Sequence, residues 1–285
     1  MKKAILTICV GELYWELARF VPYVIWRKKQ EPDLDVIVMT REDRFDLYGE
    51  YATRFIPISI EGDCYTKKAE CFRLNGFSNQ DYLNLLNQQY KLLMQEYEQV
   101  ERVFPKLEKF ANAGQFSREQ MSYDYRPRNE NKVAIESLSF KKPIVVVAPR
   151  FREGISRNWI HWKSFFELLK TEKEFEFVLC GKEPEYVKDS ELFDLGNVKQ
   201  LENTSLIGYS IELIKKAVLT VGSQSAIPSL SLLLGTPVLQ WGHNRINLMT
   251  DEYNPTKTKC TFMDDHKYSR SANDIFNELK KVLKG

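Results

Sequence analysis

The chain alternates short, continuous apolar runs with longer stretches in which apolar residues recur every three or four positions. The first run, Ala4-Ile-Leu-Thr-Ile-Cys-Val10, stops at Gly11-Glu12. It falls well short of the roughly 20 residues of a membrane span, and it reads as a buried strand rather than a signal peptide. Leu13, Leu17, Phe20, Val21, Val24 and Ile25 follow at helical spacing, Pro32 ends that pattern, and Asp35-Val-Ile-Val-Met-Thr40 forms a second run. Residues 1–40 therefore predict a βαβ unit. Arg54-Phe-Ile-Pro-Ile-Ser-Ile60 predicts a third strand. From Asp81 to about Leu107, the spacing of Leu83, Leu86, Tyr90, Leu93, Tyr97 and Val100 predicts one long amphipathic helix.

Residues 111–142 are poor in aliphatic side chains, and a second alternating series begins after them. Its predicted strands are Pro143–Pro149, Phe175–Cys180, Val218–Val221 and Val238–Trp241. Its predicted helices are Trp162–Lys170, one ending at Leu213–Ala217, Pro228–Leu234 and Ala272–Leu283. The fold class is α/β, with two Rossmann-like domains facing across a cleft. Residues 1–125 form the N-terminal domain, 126–142 the linker region and 143–285 the C-terminal domain. A chain of 285 residues is long enough for two such cores.

Charge narrows the choice of partner. Lys and Arg number 41 against 39 Asp and Glu, so no global basic field marks a nucleic-acid binder. Five scattered cysteines without a Cys-x-x-Cys pair point to reduced thiols and a cytoplasmic location. His161, His243 and His266 stand away from those cysteines, which argues against structural zinc.

Three segments carry candidate chemistry. Val218-Leu-Thr-Val-Gly-Ser-Gln-Ser-Ala226 reads as strand, polar turn and helix start, with Leu234-Gly-Thr-Pro237 as the stop behind it. In an open parallel sheet, ligands sit beyond the C-terminal strand ends, where a helix start offers unpaired N–H groups to an anion. Gly222, Ser223, Gln224, Ser225 and Ala226 lie at that point; the plainer reading is a helix N-cap by Ser223 or Ser225. The second segment, Pro149-Arg-Phe-Arg-Glu-Gly-Ile-Ser-Arg-Asn-Trp159, places Arg150, Arg152 and Arg157 after a buried strand. The third is Gly11-Glu12 at the end of the first strand.

Together these segments resemble the heptosyltransferase-like family of GT-B glycosyltransferases, patchily but from end to end. The resemblance implies that Glu12, in the place of the family's Gly-Asp pair, is the catalytic carboxylate. It implies that Arg157, before Asn158-Trp159, contacts the donor pyrophosphate. The family's late motif carries an acid, a hydroxyl, a Gly and then a His; here stand Gln224, Ser225, Ala226 and Ser229. The hydroxyl is kept and the acid and imidazole are lost, so the contacts to the donor's sugar or phosphates differ from those of heptose transfer.

Sugar transfer with inversion needs a base for the acceptor hydroxyl and charge stabilisation on the departing diphosphate. Glu12 supplies the first, or else is merely a residue favoured at a helix start. Arg150, Arg152 and Arg157, with the N–H groups of Gly222–Ala226, supply the second. No metal and no cofactor are then needed beyond the nucleotide-diphosphate sugar. Asp33-Leu34-Asp35 and Asp264-Asp265 imitate metal motifs and read as chance pairs.

Arg41, Arg44 and Asp46, with Gly11, line the acceptor side or close a turn. Gly181 meets the donor's base or ribose, or serves a plain turn. Lys67, Lys68 and Arg73, interleaved with Tyr65 and Phe72, touch an anionic acceptor or form a solvated loop. The expected activity is glycosyl transfer to a glycan, lipid-linked or nucleic-acid acceptor, without an integral membrane segment. Two alternatives remain: a viral-type glycosyltransferase that modifies a nucleic-acid base, and a catalytically degenerate sugar-nucleotide-binding protein.

Overall fold

The computed structural model describes residues 2–9, 13–58, 79–104, 115–150, 158–180, 192–194, 206–243 and 254–285. The chain divides into two compact units, Met1–Asn129 and Glu130–Gly285.

The N-terminal unit is built on a four-stranded parallel sheet. Its strands are β1 (Lys3–Ile8), β2 (Asp35–Thr40), β3 (Arg54–Pro57) and β4 (Gln99–Val103), in the order β3-β2-β1-β4. Ala4 pairs with Asp35 on one side of β1 and with Val100 on the other. A central parallel strand is covered on both faces, and β1 is buried everywhere but at its first residue.

Residues 13–30 are continuously helical and are called α1: Leu13–Trp15, a π-helical stretch Glu16–Phe20, then Val21–Gln30. Leu17, Phe20, Val21, Val24 and Ile25 are all buried, as their spacing predicts. A short helix, α2 (Phe45–Tyr48), follows β2, and α3 (Asn79–Leu93) lies on the sheet with Leu86 and Leu93 packed against Leu6, Ile8, Ile37 and Met39.

The long helix expected over 81–107 ends at Leu93, and the chain returns to the sheet as β4. Tyr97 and Val100 satisfy helical spacing from Leu93, but Val100 instead pairs with Ala4. Tyr97 packs into the core below Leu93, with its hydroxyl donating to Asp35 at 2.8 Å. Pairing with β1 satisfies the backbone of a buried edge, which a protruding helix would leave open.

The boundary between the units, after Asn129, falls within the span 126–142. Residues up to Arg128 pack on the N-terminal unit: Ser122 N donates to Pro22 O at 2.9 Å, Tyr125 Oη donates to Leu17 O, and Glu50 N donates to Arg126 O at 2.9 Å. The passage of this segment over Gly49 is why that residue must be glycine, because with φ at +47° a Cβ would fall 1.8 Å from Arg126 O. Asn129–Ser137 then forms α4, whose Glu136 faces Lys216 at 3.7 Å.

The C-terminal unit holds six parallel strands. They are β5 (Ile144–Ala148), β6 (Glu176–Leu179), β7 (Phe193–Asp194), β8 (Leu219–Ser223), β9 (Val238–Gly242) and β10 (Cys260–Asp264), in the order β10-β9-β8-β5-β6-β7. One face carries Val145, Val147, Val221, Leu239 and Trp241 against α5 (Trp162–Thr171) and α8 (Ala272–Lys284). Trp159, Trp162 and Trp241 form a triangle with ring centroids 4.8 to 5.3 Å apart. Such pairs contribute about 0.5–1.5 kcal/mol each beyond the area they bury.

The other face takes α6 (Leu206–Lys216) and α7 (Ala226–Leu234). Ser231 Oγ donates to Thr220 Oγ1 at 2.8 Å, fixing α7 on β8. Gly235, with φ at +83°, ends α7 in the left-handed conformation before Thr236-Pro237. No helix among the described residues is long and apolar enough to cross a membrane.

Candidate functional site

Parallel pairing puts the C-terminal ends of β5, β8, β9 and β10 side by side, with Ala148 against Gly222, Ser223 against Trp241, and Gly242 against Asp264. Arg150 comes two residues after β5, and its Nη1 donates to Gln224 O at 2.7 Å. Gln224 N donates to Trp241 O at 2.9 Å, and Tyr268 Oη donates to Gln224 Oε1 at 3.4 Å. The turn after β8 is thus held from three directions, which fixes the start of α7 and the N–H groups it presents.

The glycines here serve close packing. A Cβ on Gly222 would lie 2.8 Å from Ala148 O and 3.1 Å from Pro228 Cγ, and one on Gly242 would lie 2.8 Å from Gln224 Cβ. Space above Gly222 is therefore filled by protein, not left open for a ligand. Ser223 is fully buried with its hydroxyl unpartnered. Ser225 stands at the N-cap of α7, yet its side chain makes no capping bond. Ser229 Oγ turns back to Ser225 O at 3.0 Å. Gln224, Ser225 and Ala226 are thus the partly exposed members of the turn.

The corresponding strand ends of the N-terminal unit hold two ion pairs with buried carboxylates, one to a buried and one to a partly exposed arginine. Glu16 accepts from Arg44 Nη1 at 2.5 Å, from Tyr48 Oη at 3.0 Å and from Thr40 Oγ1 at 3.2 Å. Burial pushes the Glu16 carboxyl above the usual carboxylate range, while Arg44, Tyr48 and Thr40 pull it back. Burial, and then the Glu16 charge, hold the Tyr48 hydroxyl well above the usual phenol range. Asp46 is fully buried and accepts from Arg128 Nε at 2.7 Å and Nη2 at 3.1 Å, a bidentate pair. Arg44 and Asp46 therefore act inside the unit, and Arg41 pairs with Asp43 at 3.1 Å near the surface.

No protein-family model matches the sequence, and no curated protein sequence matches it. Solved structures do match. A glycosyl transferase family 9 protein from Veillonella parvula aligns at a TM-score of 0.61 with 8% identity, over 99% of this chain and 97% of its own. E. coli heptosyltransferase WaaC with ADP-2-deoxy-2-fluoro heptose aligns at 0.60 with 14% identity, over 98% and 99%. E. coli ADP-heptose LPS heptosyltransferase II aligns at 0.59 with 13% identity, over 100% and 99%. The fold is GT-B. At these identities the likeness speaks of architecture, and roles must be argued residue by residue.

Within this GT-B fold, Gly222, Ser223, Gln224, Ser225, Ala226 and Arg150 come together at one strand edge, as the motif spacing implies. Glu12, Gly11, Arg152, Arg157 and Gly181 lie outside the described residues, as do Lys67, Lys68 and Arg73. Asp35 opens β2 at the opposite, N-terminal edge, bound by Tyr97 and by Lys2 at 3.2 Å. Asp265 accepts from Ser269 N at 3.0 Å and Arg270 N at 2.9 Å, a turn-forming role. Among the described residues no group of three His, Cys, Asp or Glu side chains is arranged for a metal ion. Sequence reading missed Tyr268 and the β10 end, whose signal was the short run Cys260-Thr-Phe-Met263.

Proposed function

We propose that this protein is a metal-independent, inverting glycosyltransferase that moves a sugar from a nucleotide-diphosphate sugar to an acceptor hydroxyl. The supporting observation is the turn Gly222–Ala226, braced by Arg150, Trp241 and Tyr268 at the C-terminal edge of a parallel sheet. It offers backbone donors to a diphosphate at the position where such sheets bind nucleotides.

In the proposed reaction Glu12 takes the acceptor proton, the acceptor oxygen bonds to the anomeric carbon, and the bond to the diphosphate oxygen breaks. The diphosphate leaves with its charge met by α7 N–H groups and by Arg152 and Arg157. Arg150 acts as a positioning residue through the Gln224 carbonyl. The N-terminal domain, residues 1–125, takes the acceptor, the C-terminal domain, residues 143–285, takes the donor, and the absence of a Cys-x-x-Cys pair among five scattered cysteines supports a cytoplasmic location.

A second reading, donor binding without transfer, is favoured by the commitment of the buried Glu16 and Asp46 carboxylates to arginine pairs. A screen of nucleotide sugars, followed by nucleoside diphosphate release with an acceptor extract, separates the two. Turnover is expected, and it is expected to survive excess EDTA. Activity lost on chelation and restored by Mg²⁺ or Mn²⁺ would contradict the metal-independent mechanism; tight binding without release would favour the second reading.

A further inference from the structure

Two of the chain's three histidines meet at the donor edge. His243 directly follows β9, His266 comes two residues after β10, and their rings stand 4.7 Å apart, edge to face. Nothing in their spacing of 23 residues brings them together; the parallel pairing of β9 with β10 does. Both are exposed, so neither is a core histidine satisfied by packing.

The turn that carries His266 is built rather than loose. Asp265 is 6% exposed and spends its two carboxylate oxygens on Ser269 N and Arg270 N. Asp264 Oδ1 lies 3.3 Å from His266 Nε2, which orients the ring and leaves its other nitrogen for a ligand. On the β9 side, Gly242 sits against Gln224, so His243 leaves the strand beside the braced turn. Tyr268, two residues beyond His266, touches Gln224 as well.

The turn itself lacks side-chain cations. Residues 222–234 contain no Lys, Arg or His, and Ser229 folds its hydroxyl back on Ser225. A diphosphate at the start of α7 therefore draws its side-chain donors from neighbouring strand ends. On the β5 side Arg150 braces the turn, with Nη1 on Gln224 O, and the proposed donors Arg152 and Arg157 follow it in sequence. On the other side stand the two imidazoles.

We propose that His243 and His266 form a paired imidazole grip on the diphosphate of the nucleotide donor, in which His266 as the imidazolium donates one N–H to Asp264 and the other to a phosphate oxygen, and His243 donates a second hydrogen bond. The proposal rests on the donor-binding reading above and names side chains which that reading did not use. It assigns Asp264 as the residue that positions His266.

Calorimetry with ADP, UDP and GDP, and with adenosine, uridine and guanosine, tests this on the full chain. His243→Gln and His266→Gln each weaken the diphosphate that binds the wild type by about tenfold, the scale of a hydrogen bond to a charged group. Nucleoside affinity and melting temperature stay unchanged. Diphosphate affinity equal to wild type in both variants and in the double variant would overturn the grip while leaving the donor site standing. Equal weakening of nucleoside and diphosphate would also overturn it, because the rings would then be holding the base. If none of the diphosphates binds the wild type, the donor-binding reading fails and the grip falls with it.

Discussion

Glu12→Gln lowers sugar transfer by about 10²–10⁴-fold, the usual contribution of a general base, and leaves nucleotide affinity unchanged. The substitution keeps the shape of the side chain and removes only its ability to take a proton. Glu12 follows β1, the central strand of the N-terminal sheet, whereas the braced turn belongs to the C-terminal unit. A base on one unit and a diphosphate site on the other predict a fall in kcat without a matching change in donor binding. The structure also removes the obvious substitutes. Asp46 is held by two Arg128 nitrogens, and Glu16 is fully buried beneath Arg44, Tyr48 and Thr40. Wild-type turnover in Glu12→Gln would make that carboxylate a helix-start residue, and the base would then lie elsewhere in the protein.

Glu16→Leu destabilises the N-terminal unit by about 3–5 kcal/mol, the cost of leaving a buried charge unpaired. Arg44 cannot shed its proton, and its side chain is 2% exposed, so water does not replace the lost carboxylate. Arg44→Met should cost less, because Glu16 can neutralise itself by taking up a proton, and Tyr48 and Thr40 remain beside it. Its pH dependence has a definite sign. A carboxyl whose folded pKa is raised binds more protons in the folded than in the unfolded state. Stability of the Arg44→Met variant therefore falls as pH rises above the unfolded carboxylate range and levels off above the folded pKa. The double variant Glu16→Leu/Arg44→Met recovers most of the loss, since an apolar pair of similar volume can replace a buried ion pair. Urea unfolding across a pH series reads all three; a cost below about 1 kcal/mol for Glu16→Leu would mean that water reaches Arg44.

Much of the fold was legible because buried parallel strands are continuous apolar runs. Asp35–Thr40 and Ile144–Ala148 stand where their sequences put them. Reading failed where one pattern fitted two periods. Tyr97 and Val100 match a helix continued from Leu93, and only the pairing of β4 with β1 decides otherwise. β10 was hidden because an edge strand is half-exposed, so Cys260-Thr-Phe-Met-Asp264 lacks a full apolar run. Missing β10 also hid the His243–His266 pair, which exists through that strand's register.

At the site, the turn after β8 was visible as a cluster of small polar residues behind an apolar strand. The purpose of its glycine was not, because the contacts of Gly222 come from Ala148 and Pro228, one of them 74 positions away in sequence. The Glu16–Arg44 pair was equally invisible, since its partners come from α1 and from the turn after β2 and meet only in the folded unit.

The central claim is that the turn Gly222–Ala226 receives the diphosphate of a nucleotide sugar, and a crystal structure of the protein soaked with a panel of nucleotide sugars tests it most directly. The account predicts density for the diphosphate at the end of β8, within hydrogen-bonding distance of the α7 N-terminal N–H groups and beside His243 and His266. A nucleotide bound only elsewhere on the protein, or no nucleotide bound from the whole panel, would contradict it.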